Sequence, residues 1–254
     1  MGAFFVAWLL ASPALALCSL PGPRQAVEIA SVIDGDTLRL ADGRSVRLIG
    51  LDTPELGRKG RADEPYAVAA RDELRTLVRA SQGRLALHLG EQPQDRYGRA
   101  LAHAFDAAGN NIEAALLRKG LGRFVAVAPN TAMVTCHQEA EARARASGRG
   151  MWRHPQRVDA GQIRQGGFAL VEARIERIER NRGGTWLETD GPLVLNIPPG
   201  REKAFARAEL DAMVGKRVEA RGWIIDRKGA RSAARWLLPI SHPAMVSALS
   251  PEAQ

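Results

Sequence analysis

Apolar residues alternate with polar ones in short runs along the first hundred positions, which is the pattern of strands that bury one face. A turn at Ala41-Asp42-Gly43 separates two of these runs, as in a β-hairpin. The predicted strands cover 27–33, 37–40, 45–51, 84–89 and 100–106. Apolar spacing of three and four residues predicts helices over 66–78, 111–119 and 135–146. This order favours an α+β domain built on an OB-type five-stranded β-barrel with helices.

A second group of strands follows a polar segment that contains glycine. We therefore divide the chain into a first domain at 26–154, a linker at 155–167 and a second domain at 168–246. The second domain has three predicted strands, a helix over 202–213 and two more strands, which is the OB-fold order. The sequence thus predicts a second, smaller OB-like β-barrel, of the kind found in nucleic-acid-binding proteins.

The amino-terminal segment, residues 1–20, has no charged side chain and ends near the small-residue pattern Ala14-Leu15-Ala16. We interpret it as a signal peptide, with an uncleaved N-terminal membrane anchor as the alternative. Either interpretation predicts a secreted or periplasmic protein, or one anchored to a membrane. Cys18 and Cys136 would then lie in an oxidising compartment and are candidates for a disulfide, the alternative being two unrelated thiols.

The composition is that of a soluble globular protein with a basic surface, at 45% hydrophobic and 25% charged residues and a net charge of +8. The basic balance favours a polyanionic partner, although an arginine-rich composition also serves solubility. The two cysteines are too few for a tetrahedral zinc site, and the histidines do not have metal-ligand spacing.

Three short motifs carry the candidate chemistry. They are Asp-Gly-Asp-Thr at 34–37, Val-Arg-Leu-Ile-Gly-Leu-Asp-Thr-Pro-Glu at 46–55, and Asp-Arg-Tyr-Gly-Arg at 95–99. Phosphodiester hydrolysis needs a divalent cation on hard carboxylate oxygens, a base for water, and fixed cations for the charge that develops on phosphorus. Each motif alone is typical of a turn, a capped loop or solvated arginines. In this order and spacing they predict a nuclease site.

Together the motifs resemble those of the staphylococcal nuclease (thermonuclease) family, over roughly residues 26 to 153. The resemblance implies one Ca²⁺ ion, held by the carboxylates of Asp36 and Asp52 and by the main-chain carbonyl of Thr53. Asp34 is expected to support this set without binding the ion. Oxygen ligands together with several waters suit calcium better than magnesium, which requires a tighter octahedron.

The resemblance also assigns the catalytic residues Arg47, Glu55 and Arg99. Arginine stays charged and offers a planar donor fork, so Arg47 and Arg99 suit phosphate oxygens whose charge rises in the transition state. Glu55 is the candidate general base, and orienting the water beside the ion is an equally physical role. The family's leaving group is the 5′-oxygen, which implies 3′-phosphate products.

One departure from the family affects substrate binding. Where its best-known members place tyrosines that contact the nucleotide, this chain has Arg-Phe-Val-Ala-Val-Ala-Pro at 123–129. The candidate substrate-binding residues are therefore a basic loop and one exposed ring: Arg58, Lys59, Arg61 and Tyr97. Aromatic residues of the second domain, Trp186, Trp223 and Trp236, either stack on bases or form its core and rim.

The sequence predicts a calcium-dependent nuclease that acts on DNA, RNA or both, with no obligate protein partner evident. One alternative is a non-catalytic nucleic-acid-binding scaffold. Another is an interaction module on the cell envelope, which an uncleaved anchor would suit.

Overall fold

The computed structural model describes residues 17–57, 60–228 and 234–249. Its first elements are β1 (Gln25–Val32), β2 (Thr37–Leu40), β3 (Ser45–Leu48), β4 (Leu51–Asp52), α1 (Ala67–Ala80), β5 (Arg84–Gln94), β6 (Ala100–Phe105), α2 (Ile112–Arg118), β7 (Arg123–Phe124) and α3 (Val134–Ala146). Five strands pair in the order β1-β2-β3-β6-β5 and close into a barrel. Strands β3 and β6 run parallel, and the other pairs are antiparallel. The predicted α+β barrel is confirmed.

Helix α1 forms because one of its faces is apolar at helical spacing. Ala67, Ala70, Leu74 and Val78 are its buried residues, each three or four positions from the next. Helix α2 is capped by Asn111, whose side-chain oxygen accepts a hydrogen bond from the Ala114 N–H at 2.8 Å.

The predicted strand at 45–51 is wrong in its last part. Gly50 has a φ of +83°, in the region that favours glycine, and this residue turns the chain out of the barrel. Strand β3 therefore ends at Leu48, and β4 pairs antiparallel with β7 instead. The turn carries Asp52 away from the barrel wall and places it beside Arg123.

The remaining elements are β8 (Arg157–Asp159), β9 (Gly167–Asn181), β10 (Gly184–Thr189), β11 (Leu193–Ile197), α4 (Arg207–Asp211), β12 (Arg217–Asp226), β13 (Trp236–Pro239) and β14 (Val246–Ala248). Strands β9, β10, β11, β13 and β12 pair in that order, and β12 also pairs with β9, which closes a ring of five. Strands β11 and β13 are parallel, as β3 and β6 are in the first barrel. The second sheet therefore repeats the strand order of the first.

Two sequence predictions for this region need correction. The segment 155–167 is not a free linker, because β8 adds parallel to β9 while Ala160 and Ile163 are buried. The helix predicted over 202–213 is interrupted at Phe205, which is extended and buried, so that only a short 3₁₀ turn and α4 form. In both places buried apolar residues hold the chain in a shape that local propensity does not favour.

The segment before β1 is attached to α3. The structure joins Cys18 and Cys136 in a disulfide, with their Cα atoms 5.8 Å apart and a sequence separation of 118. The Asn111 N–H also donates to the Leu17 carbonyl at 2.9 Å. Residues 1–16 of the predicted signal peptide or anchor lie outside the described residues. Within the described ranges, no helix combines the length and the apolar character needed to cross a membrane.

Buried ion pairs connect the two barrels. Arg221 of β12 donates to Glu141 of α3 at 2.7 Å and to the Phe124 carbonyl at 3.2 Å. Glu219, two residues earlier, accepts from Arg145 at 3.0 and 3.1 Å. Buried apolar side chains of both barrels also belong to one continuous cluster. The barrels therefore share an interface with fixed geometry.

This interface should weaken in acid. Burial raises the pKa of Glu219, but the hydrogen bonds and charges of Arg145 and Arg221 outweigh it and lower that pKa below 4.5. The stabilisation is therefore present above pH 4.5 and is lost as the pH falls through the folded-state pKa. We expect urea unfolding to give a free-energy gap between wild type and Glu219→Gln that is wide at pH 6 and narrows at pH 3. A free-energy gap that does not change with pH would contradict this prediction. So would an equal narrowing of the gap between wild type and the exposed control Glu209→Gln.

Candidate active site

The Asp-Gly-Asp turn between β1 and β2 packs against the segment that follows β4. Oδ2 of Asp36 accepts hydrogen bonds from the main-chain N–H and the hydroxyl of Thr53, both at 2.9 Å. A Cβ at Gly35 would lie 2.7 Å from the Thr53 hydroxyl, so the turn can approach this closely only with glycine. Asp34 accepts from the Asp36 N–H at 3.1 Å, and its supporting role stays a prediction.

Arg47 lies between the two aspartates that were predicted to bind metal. It projects from β3, with Nη1 2.6 Å from Oδ2 of Asp36 and Nη2 3.3 Å from Oδ1 of Asp52. Burial lowers the pKa of Arg47, but the two carboxylates outweigh this and raise it. The guanidinium is therefore permanently charged, and its donors are fixed in direction.

Burial makes the charged form of two aspartates costly. It raises the pKa of Asp52 to about 7, although Arg47 and Arg123 oppose this. Burial and the charge of Asp36 raise the pKa of Asp34 to about 6. Carboxylate oxygens are the donors that a hard divalent cation prefers, and such a cation would favour their ionised form. The residues present thus fit the predicted calcium ion.

Arg99 is held by a residue of its own motif. Its Nε lies 2.7 Å from Oδ2 of Asp95, and Oδ1 of Asp95 accepts from the Arg99 main-chain N–H at 3.0 Å. Burial raises the pKa of Asp95, but the Arg99 hydrogen bonds outweigh it and keep that pKa lowered. This carboxylate orients the Arg99 side chain, which remains partly exposed.

Glu55 begins the loop that leads to α1. Its main-chain N–H donates to the Glu64 side chain at 3.1 Å, and its carbonyl accepts from the Glu64 N–H at 3.0 Å, which closes the base of the loop. The Glu55 side chain is exposed, as is that of Arg61. Arg58 and Lys59 lie outside the described residues.

One cleft of about 790 Å³ brings the predicted groups together. It is lined by all three predicted catalytic residues, by two of the predicted metal ligands and by supporting and substrate-binding candidates: Asp34, Asp36, Arg47, Asp52, Glu55, Arg61, Tyr97 and Arg99. Thr53 is buried behind Asp36, and the role of its carbonyl stays a prediction. Among the described residues, no group of three His, Cys, Asp or Glu side chains is arranged to hold a metal by itself.

A second, more apolar cleft of about 510 Å³ shares some of these residues. Arg47, Tyr97 and Arg99 line both clefts, and Tyr97 is 69% exposed. Part of its wall is the segment at 123–129, which contributes Val125, Val127, Ala128 and Pro129 where the family places tyrosines.

Sequence reasoning missed one further residue of the site, Arg123, and left the role of a second, Trp223, open. Arg123 has Nη1 3.6 Å from Oδ2 of Asp52, and the pairing of β4 with β7 brings them together. Trp223 of the second barrel lines both clefts. No local motif marks either residue, because each reaches the site through contacts between distant segments. Two other tryptophans of the second domain were candidates for stacking. Trp236 is buried in the core, which excludes stacking on bases, and Trp186 lines a separate cleft.

Comparison with known proteins agrees with this geometry. A family model described as "Staphylococcal nuclease homologue" matches residues 45–154. The chain is 30% identical to the thermonuclease of Staphylococcus hyicus over 131 residues, which are 50% of this chain and 76% of that protein. It is 35% identical to the thermonuclease of Staphylococcus intermedius over 105 residues, which are 40% of this chain and 61% of that protein.

Endonuclease YncB of Bacillus subtilis is 30% identical over 130 residues, which are 50% of this chain and 61% of that protein. The chain thus spans less than two thirds of the length of several of these relatives. The class is defined by the barrel, by its carboxylates and arginines, and by these similarities. The chain belongs to the staphylococcal nuclease family.

Proposed function

We propose that this protein is a calcium-dependent nuclease that hydrolyses phosphodiester bonds of DNA, RNA or both and leaves 3′-phosphates. The observation that carries the proposal is the single cleft that collects Asp36, Asp52, Arg47, Arg99 and Glu55. The family's thermonucleases and endonucleases support the same reaction class.

Asp36 and Asp52, with the Thr53 carbonyl, would hold the calcium ion. When bound, the ion would supply positive charge to a phosphate oxygen and lower the pKa of a nearby water. Arg47, already fixed between the two aspartates, can donate to a phosphate oxygen beside them. Arg99 belongs to the motif at 95–99 and is oriented by Asp95. It can donate to the equatorial or the leaving oxygen of the phosphate. Two directed guanidinium groups stabilise charge that grows toward the transition state.

Glu55 would receive a proton from the attacking water or orient that water. Its side chain is exposed at the rim of the cleft, while its main chain is anchored to Glu64. An exposed carboxylate on an anchored backbone can reach a water beside the substrate without first losing a buried partner. This arrangement supports a role in activating water.

The proposal includes export from the cytoplasm. The bridge between Cys18 and Cys136 suits a secreted or periplasmic compartment, where disulfides persist. The net charge of +8 suits a polyanionic substrate.

The test is cleavage of single-stranded DNA, double-stranded DNA and RNA by the protein in calcium, in magnesium and in chelator, with analysis of the product ends. Calcium-dependent cleavage to 3′-phosphates would agree with the proposal. Tight binding without cleavage of any substrate in any metal would refute it and favour the scaffold alternative.

Glu55→Gln should lower kcat by about 100-fold or more, because the amide cannot accept a proton. Substrate KM should change little, since the residue acts on water. The matched control is Glu28→Gln, an exposed carboxylate on β1. Wild-type kcat in Glu55→Gln, measured on the preferred substrate in calcium, would remove Glu55 from the mechanism.

A further inference from the structure

Strand β12 of the second barrel directs three alternate side chains at the first barrel. Residues two apart on a strand share a face. Glu219 and Arg221 on this face form the buried ion pairs with α3. Trp223 is the next residue on the same face, and it lines the catalytic cleft. The ion pairs therefore fix the strand that positions the Trp223 ring.

The Trp223 ring is supported on one side and open on another. It contacts Phe168 edge to face, with ring centroids 5.2 Å apart and planes at 77°. The guanidinium of Arg123 lies 5.4 Å from the Phe168 centroid, which connects this aromatic pair to the Asp52 side of the cleft. Trp223 nevertheless remains 41% exposed. A large ring that packs against one neighbour and stays partly exposed beside a cleft has surface available for a ligand.

The shared boundary of the two clefts indicates which ligand this is. It has a charged side at the phosphate-binding candidates Arg47 and Arg99, which line both clefts, and an apolar side at Val125 and Val127, which line the second cleft. A flat apolar group joined to a phosphate matches both sides, and a nucleobase is such a group. We propose that Trp223 stacks on an unpaired base adjacent to the scissile phosphate, so that the second barrel completes the substrate site. This inference rests on the proposed nuclease function.

The inference also defines the substrate class. A base inside a duplex is already stacked and paired, so it must be extruded at a cost of a few kcal/mol before a side chain can stack on it. Single-stranded DNA or RNA avoids that cost. The aromatic contact therefore favours single strands, and it takes the place of the tyrosines that the segment at 123–129 lacks.

The experiment compares Trp223→Ala and Trp223→Phe with wild type on a single-stranded deoxyoligonucleotide and on a base-free deoxyribose-phosphate strand of equal length. Trp186→Ala is the matched control, because Trp186 belongs to the second barrel but lines a different cleft. On the normal strand, Trp223→Ala should raise KM by about 10-fold with kcat nearly unchanged. Trp223→Phe should keep most of the affinity, and Trp186→Ala should match wild type.

The base-free strand separates stacking from a structural role. If Trp223 acts by stacking, its replacement should have no effect on a strand without bases, whereas a distorted cleft would impair cleavage of both strands. An unchanged KM for Trp223→Ala on the normal strand, or an equal loss on the two strands, would overturn the Trp223 inference while wild-type cleavage keeps the nuclease proposal intact. If the wild type cleaves neither the normal nor the base-free strand, both the Trp223 inference and the nuclease proposal are overturned.

Discussion

Asp36→Asn is expected to abolish calcium-dependent cleavage, with a fall in kcat/KM of about 10³-fold or more. Asp36 accepts from Thr53 and contacts Arg47, so one carboxylate connects the predicted ion to the phosphate-binding arginine. Asparagine keeps the shape, and its oxygen can still accept from the Thr53 N–H. The fold should therefore persist while the charge that holds the cation is lost.

Two measurements separate lost metal binding from lost folding. Calcium should raise the melting temperature of wild type, since a ligand that binds only the folded state stabilises it, and should not raise that of Asp36→Asn. Asp42→Asn is the control, because Asp42 is an exposed carboxylate in the adjacent hairpin turn, paired only locally with Arg44. Wild-type cleavage together with wild-type calcium stabilisation in Asp36→Asn would exclude Asp36 as a ligand.

The parts of the site that the sequence predicts are those whose chemistry is local. The Asp-Gly-Asp turn needs glycine for its close approach to Thr53, and that requirement is visible as a motif. Likewise Asp95 orients Arg99 across a four-residue turn, so spacing alone keeps the pair together. Turns and short motifs fix the relative positions of such residues before any tertiary contact forms.

The parts that escape prediction depend on contacts between distant segments. Arg123 approaches Asp52 only because Gly50 turns β4 out of the barrel to pair with β7. Trp223 reaches the cleft through the packing of the two barrels, in which Arg221 joins its strand to α3. Neither arrangement leaves a periodic signal in the sequence, since a bend at one glycine and a pairing across 80 positions are tertiary events.

The second barrel shows the same limit on a larger scale. The alternation of apolar residues predicts its strands, but not how the domain is attached. The segment at 155–167 is polar in composition, yet it adds β8 to the sheet, and Ala160 and Ile163 are buried beside it. Composition therefore predicts a linker where part of the chain packs into the second domain.

Arg221→Ala is expected to destabilise the protein by about 3–5 kcal/mol, because it removes the cation that lies between two buried carboxylates. The side chains of Glu141 and Glu219 are only 5% and 4% exposed, and each lies 2.7 Å from the Arg221 guanidinium. Arg145 would remain 3.2 Å from Glu141 and 3.0 Å from Glu219, but the two carboxylates would then share it, and the Phe124 carbonyl would lose the Arg221 donor. The free energy of unfolding, measured in urea at pH 7, tests this.

The exposed Arg217 on the same strand is the matched control. Its side chain is 53% exposed and faces Glu172 at 3.4 Å, so Arg217→Ala should change the unfolding free energy by less than about 1 kcal/mol. Adding Glu141→Gln to Arg221→Ala should recover part of the loss, because the amide removes one of the two buried negative charges that share Arg145, while its oxygen can still accept from the Phe124 N–H. Equal effects of the Arg221 and Arg217 variants would mean that the buried pair does not join the barrels. Recovery of stability in the double variant would instead show that the cost of Arg221→Ala lies in buried negative charge that is no longer neutralised. The ion-pair network would then be what fixes the position of β12 beside the cleft.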